Sequence, residues 1–141
     1  MRASERSVEL ANRPYIGLDH IAVYIDEGRH TISFNAVTKN SGTISGTDFE
    51  CHWSITINGV RISSSGGGSG PTTLLPGQIA VLVASVREPS YLRVLRGQDV
   101  VDFQVSSSYF GPTGRYTDCQ RARFVPEYRA VEVLRRCQEN N

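Results

Sequence analysis

The sequence predicts an all-β domain: an antiparallel sandwich of seven or eight strands with short helical segments at its ends. Three observations lead to this prediction. Apolar and polar residues alternate in several segments, turn residues recur between those segments, and no strand–helix–strand alternation is present. A period of two places every apolar side chain on one face of a strand, so these segments predict half-buried antiparallel sheets.

The clearest strand is residues 49–57. Its alternate residues are apolar, namely Phe49, Cys51, Trp53, Ile55 and Ile57. Asn58 and Gly59 follow, and both residue types tolerate the positive φ angles of a type I′ hairpin turn. The sequence therefore predicts a hairpin whose second strand runs from 60 to 63. Trp53 is predicted to lie in the core as an anchor between the two sheets, as in immunoglobulin-like domains.

The other strands follow from the same alternation and from the turns that bound it. They are predicted at 15–25, 29–38, 79–86, 101–109 and 115–125. Residues 79–86 are apolar except Ser85, which predicts a central strand covered on both faces or an edge buried by loops. Residues 91–96 fit a short strand or a helical turn. The Gly/Ser-rich residues 63–71 predict a flexible loop, and no helix follows to make it a phosphate-binding loop.

The domain organisation predicted from these segments has three parts. Residues 1–14 form an N-terminal stalk or helix, residues 15–125 form the β-sandwich, and residues 126–141 form a C-terminal tail. In the tail, Tyr128, Val131, Leu134 and Cys137 fit a helical stripe, whereas Val131 and Val133 would serve a strand. We favour a short C-terminal helix.

Charge and composition limit the classes of partner. The chain has 141 residues and a net charge of +1, and Lys39 is its one lysine. A nearly neutral chain has no global field to steer it to nucleic acid, so we expect no nucleic-acid partner. Six arginines between 115 and 136 alternate with acidic residues. This pattern indicates a solvated surface with ion pairs, and an anionic partner is the alternative.

We expect no membrane-spanning helix and no export signal in the sequence as written. The longest apolar run is far shorter than the roughly 18 residues of a spanning helix, and residues 1–12 lack the apolar core of a signal peptide. As written, the chain is expected to be soluble, so a cytoplasmic location stays open. It is also consistent with a fragment of a larger protein.

The three cysteines and three histidines show no catalytic or metal-ligating spacing. The cysteines are Cys51, Cys119 and Cys137, and the histidines are His20, His30 and His52. Side chains of adjacent strand residues point to opposite faces, so Cys51 and His52 do not form a pair. We therefore predict no catalytic residue, no metal and no cofactor. A catalytic pair of Cys119 with His20 or His30 is the alternative. Three reduced, mostly buried cysteines are expected, and one disulfide in an oxidising compartment is the alternative.

Four short segments resemble a known group of proteins. They are Asn12-Arg13-Pro14-Tyr15-Ile16-Gly17, Lys39-Asn40-Ser41-Gly42, Leu75-Pro76-Gly77-Gln78 and Tyr109-Phe110-Gly111. In this order, they resemble the immunoglobulin-like extracytoplasmic domain of small bacterial single-pass membrane proteins of unknown function. The turns are also similar to those of bacterial adhesion-related sandwich domains. The resemblance covers residues 7 to about 125. It implies an extracytoplasmic cell-envelope location and lends no catalytic residues; the membrane helix of that group is absent here.

The function expected from these observations is non-enzymatic. We expect an immunoglobulin-like binding or scaffolding module of a bacterial cell envelope, acting on a protein partner through loops or a strand edge. Its oligomeric state is left open, and membrane attachment would need an anchor outside this chain. One alternative is a structural subunit of a larger phage or secretion assembly. A further alternative is a thiol-dependent hydrolase that uses Cys119 or Cys51.

Overall fold

The protein is described by a computed structural model of residues 13–62 and 68–137, in which the side chains of 68–71 are not described. It consists of strands and one short helix. In chain order the elements are β1 (Ile16–Asp26), β2 (Thr31–Asn40), β3 (Gly46–Ile57), β4 (Val60–Arg61), β5 (Gly68–Leu74), β6 (Ile79–Val86), α1 (Ser90–Leu95), β7 (Val101–Gly111), β8 (Gly114–Val125) and β9 (Ala130–Arg136). The predicted all-β class is therefore confirmed.

The strands form two antiparallel sheets. The small sheet has the order β1-β2-β6. The large sheet has the order β4-β3-β7-β8-β9, and β5 also pairs with β3. Consecutive strands of each hairpin are neighbours, as short turns require.

Aromatic side chains join the two sheets in a common core. Phe34 on β2 makes edge contacts with Phe103 of β7, 4.8 Å between ring centroids, and with Phe124 of β8, 5.6 Å. Trp53 is buried, as predicted, and its ring stacks on Phe103 of its own sheet at 6.0 Å. Phe34 thus makes the aromatic contacts between the two sheets. The sequence predicted this role for Trp53, whose ring contact is with its own sheet.

The predicted hairpin after residue 57 is confirmed. Asn58 has φ 52° and Gly59 has φ 82°, the two positive angles of a type I′ turn. The Asn58 side chain adds a second function that the sequence did not reveal. Its Nδ2 donates to Asp99 Oδ1 at 2.9 Å, and its Oδ1 accepts from the Val100 amide at 2.8 Å, so the turn is tied to the start of β7.

The structure has more strands than the seven or eight predicted, because two segments predicted as a loop and a helix are strands. The described residues contain nine strands, because 68–74 form β5 and 130–136 form β9. The predicted flexible loop of 63–71 thus overlaps a strand from residue 68 onward. The predicted C-terminal helix is wrong because Val131 and Val133 pair with Phe124 and Ala122 of β8. Pairing with the large sheet satisfies the backbone of this segment and overrides its weak helical stripe.

The strand predicted at residues 79–86 is confirmed, but it is not a central strand covered on both faces. These residues form β6, which is the edge strand of the small sheet, and one of its faces is exposed. The segment at 91–96 is helical, with Tyr91 and Val94 of α1 buried. The predicted N-terminal helix or stalk lies almost entirely outside the described residues, as do 63–67 of the loop and the last residues of the tail.

Candidate binding surfaces

The described parts of the four segments that carry the resemblance (13–17, 39–42, 75–78 and 109–111) meet at one end of the sandwich, near Asn40. This side chain is fully buried. Its Nδ2 donates to the carbonyl oxygens of Ile44 and Leu74, both at 2.9 Å. Its Oδ1 accepts from the amides of Gly42 at 2.9 Å and Tyr15 at 3.3 Å. All the donors and acceptors of the amide group are therefore used, and one side chain fastens three loops together.

The arm formed by Arg13, Pro14 and Tyr15 packs directly against the backbone of two glycines, Gly42 and Gly111. A Cβ at Gly42 would collide with the Arg13 carbonyl oxygen and lie 2.6 Å from the Tyr15 nitrogen. A Cβ at Gly111 would lie 2.8 Å from the Pro14 ring. The two glycines are thus required because the arm approaches the backbone too closely for any side chain. This packing holds the Arg13 side chain at the mouth of a cleft.

The cleft is the first candidate site. It has a volume of about 770 Å³ and lies between the start of β1, the first half of β8 and the end of β9, next to the Cys119–Cys137 disulfide. The guanidinium of Arg13 lies 4.3 Å from the ring centroid of Tyr15 and 4.0 Å from that of Tyr116. The hydroxyl of Tyr116 forms a hydrogen bond with that of Thr113. Two aromatic rings therefore hold the cation in place.

The edge of β6 is the second candidate site. In the described part of the chain, no strand pairs with the side of β6 that faces away from β2. Its outward side chains Ile79, Val81 and Val83 are 54%, 45% and 61% exposed. The strand contains no charge and no proline, and it pairs with β2 through eight residues without a register shift. Among the residues that the structure describes, it is a regular, apolar edge with no strand paired to its outer side.

The other sheet edges carry features that discourage pairing with another chain. β1 has a register shift between Leu18 and His20, and β4 has two residues. β5 contains Pro71, and its pairing with β3 has two register shifts. β9 is charged, with Glu132 and two arginines. Among the described strands, β6 differs from the other edges because it has none of these features.

A third surface is a groove on the outer face of the large sheet, about 560 Å³ in volume, that contains Arg121, Arg123 and Arg135. Arg123 donates to Asp102 Oδ1 at 2.7 Å, and this hydrogen bond raises the pKa of its guanidinium above the usual range. The arginine-rich segment predicted from sequence therefore contributes one ion pair to this groove, and a second pair, Arg129 with Glu27 at 3.9 Å, lies outside the groove. The exposed setting makes that pair a small contribution to stability.

The cysteines do not follow the expectation of three reduced thiols. Cys119 and Cys137 form a disulfide between β8 and the residue after β9, whereas Cys51 is free and buried. The sulfur of Cys119 is thus already bonded. Burial raises the pKa of the Cys51 thiol, and the hydroxyl of Thr38, 3.6 Å from its sulfur, opposes this in part. A thiol in this state is a poor nucleophile at neutral pH.

The histidines lie on separate elements with separate partners. His20 contacts Asp19 at 2.7 Å. His30 lies 3.0 Å from Glu88 and stacks on Tyr91 of α1 at 5.1 Å, and His52 is exposed on β3. Within residues 13–62 and 68–137, no three His, Cys, Asp or Glu side chains gather in a way that would hold a metal ion. In the same residues, no helix has the length and apolarity to cross a membrane.

Comparison with known proteins gives distant structural likenesses. No protein-family model matches the sequence, and no curated protein matches it. A crystal structure of a protein from Archaeoglobus fulgidus is similar with a TM-score of 0.38 and 12% identity, over 88% of this chain and 98% of that chain.

Proposed function

We propose that this chain is a non-enzymatic protein-binding or scaffolding module that accepts a strand of a partner protein along the free edge of β6. The observation that carries the proposal is the contrast among the edges. β6 is regular, apolar and uncharged, whereas the other described edges are shortened, shifted, interrupted by proline or charged. Because monomeric proteins protect long apolar edges, an unprotected one indicates a surface that is covered in use.

Strand addition would use both the backbone and the side chains of β6. Alternate residues of an edge strand turn their N–H and C=O groups away from the sheet, where a partner strand can bond to them. Ile79, Val81 and Val83 would then pack beside alternate side chains of that partner on the outer face. Backbone hydrogen bonds supply affinity in this arrangement, and the row of three apolar residues supplies specificity.

The proposal includes an immunoglobulin-like fold and a location in the cell envelope, on the extracytoplasmic face. Two antiparallel sheets and a buried Trp53 support the first part. The Cys119–Cys137 disulfide supports the second part, because such bonds persist in oxidising compartments and are rare in the cytosol.

Site-specific photo-crosslinking tests this function. A photoreactive phenylalanine analogue replaces Val83 on β6 in the protein expressed in its source cells. The matched control places the analogue at Val60 of β4, which is 70% exposed on the other sheet. We expect discrete crosslinked products from position 83 and none from position 60. Equal products from both positions, or none from position 83, would contradict the proposal.

The second candidate function is a structural subunit of a larger assembly, in which β6 pairs with β6 of another copy. The uncharged sequence of β6 favours it, since antiparallel self-pairing brings no like charges together. In the crosslinking experiment, a product at twice the mass of the chain would indicate this function. A product that contains a different protein would indicate the first.

A further inference from the structure

We propose that the cleft beside β1 is a binding site for an oxyanion group, a carboxylate or a phosphate, and that Arg13 is its principal contact. The site is separate from the β6 edge and does not depend on the function proposed for that edge. Residues of the N-terminal arm, of β1 and β2, and of β8 and β9 line it.

The first argument is the state of the Arg13 guanidinium. Its Nε–H donates to the Pro14 carbonyl oxygen at 3.2 Å, and its plane is held near the rings of Tyr15 and Tyr116. In the described part of the chain, the four N–H donors of its two terminal nitrogens have no hydrogen-bond partner. A guanidinium fixed in this way presents a fork that matches two oxygens of a carboxylate or phosphate.

The second argument is the charge of the cleft. Lys39 and Arg136 also line it, and neither forms an ion pair within the described residues. Of the two acidic residues in the lining, Asp19 contacts His20 at 2.7 Å, and Asp118 accepts a hydrogen bond from Gln120 Nε2 at 3.4 Å. Three cations and two carboxylates thus line the cleft, which gives it a net charge of +1. An anion would be attracted to this cleft, and its binding would weaken with added salt.

The third argument is the size of the cleft. A volume of about 770 Å³ greatly exceeds that of a single phosphate, so the oxyanion would belong to a larger molecule. The Tyr15 side chain, which is 37% exposed, offers an apolar surface to the rest of that molecule. Asp118 is half-buried and would accept an N–H or O–H of the same ligand. The predicted ligand class is an oxyanion-bearing molecule that also carries a hydrogen-bond donor.

Titration of the isotope-labelled chain with inorganic phosphate or benzoate, followed by amide chemical shifts, tests the proposal. We expect saturable shifts in residues of the arm and of β8. Arg13→Gln should weaken binding by at least about tenfold, since a charge-assisted hydrogen-bonded pair is lost. The matched control Arg61→Gln removes an exposed arginine outside the cleft and should change the dissociation constant less than about twofold. Tighter benzoate binding would identify a carboxylate ligand, and tighter phosphate binding would identify a phosphate.

Asp118→Asn separates an effect on binding from a loss of stability, because this variant should strengthen benzoate binding whereas Arg13→Gln should weaken it. Loss of this carboxylate removes repulsion, so benzoate, an anion without an N–H or O–H donor for Asp118, should bind more tightly. If Arg13→Gln does not fold, Lys39→Gln replaces it, with an expected loss of about two- to threefold. The proposal is overturned if no saturable shift occurs, if Arg61→Gln weakens binding as much as Arg13→Gln, or if Asp118→Asn weakens the binding of benzoate.

Discussion

Replacement of Asn40 by alanine tests how the end of the sandwich is held together. The side chain makes four hydrogen bonds, three at 2.9 Å and one at 3.3 Å, and it is fully buried. A hydrogen bond contributes about 1 kcal/mol net, and buried partners left unsatisfied add to the loss. We therefore expect Asn40→Ala to lower the free energy of unfolding by about 4 kcal/mol.

The assay is urea unfolding followed by the fluorescence of Trp53, the one tryptophan of the chain. The matched control is Asn35→Ala, on the same strand, whose side chain makes no hydrogen bond within the described residues. We expect a loss of about 0.5 kcal/mol for the control. A loss below about 1.5 kcal/mol for Asn40→Ala, or equal losses for the two variants, would refute the assignment of Asn40 as the junction residue.

Three further predictions concern the disulfide, the free thiol and the arm. Joint replacement of Cys119 and Cys137 by serine should lower the free energy of unfolding by about 3 kcal/mol, because the bond closes a loop of sequence separation 18. Reduction of the native chain should lower its urea midpoint to that of the double variant. A double variant with the urea midpoint of the native chain would contradict this prediction. Cys51 should resist iodoacetamide at pH 8 until urea unfolds the chain, as measured by mass, because burial raises its pKa. The unfolded thiol ionises first, so this group should lower stability as pH rises above about 9; rapid native labelling would contradict both statements. Gly42→Ala should displace the arm, lower the urea midpoint and weaken anion binding at Arg13, and native values for both would show that the close approach does not constrain the arm.

Local alternation was sufficient to predict most of the fold. Strands β1, β2, β3, β7 and β8 were predicted near their observed positions because each keeps one apolar face and ends at a turn. The bounds of β6 were also predicted, from its apolar run between two turns. β9 was missed because its stripe fits both periods, and only pairing with β8 decides between them. β5 was missed because its glycines and proline carry no strand propensity, and its pairing with β3 is a tertiary effect.

The candidate sites were predicted less well than the fold. The short motifs at Arg13-Pro14-Tyr15 and at Asn40 were noticed as a resemblance, but their meeting at one junction depends on contacts between distant residues, such as Tyr15 with Asn40. The apolar run at 79–86 was visible in the sequence. The exposure of this strand could not be predicted, because a sequence that is apolar on both faces is compatible with a sheet edge and with a sheet centre.

Hydrogen exchange in β6 tests the central claim most directly. The measurement compares the domain alone with the complex that a tag on the domain recovers from its source cells. If a partner strand pairs with β6, alternate amides between Ile79 and Val86 should exchange at least about a hundredfold more slowly in the complex. Unchanged exchange in β6, with protection confined to other parts of the domain, would contradict the account.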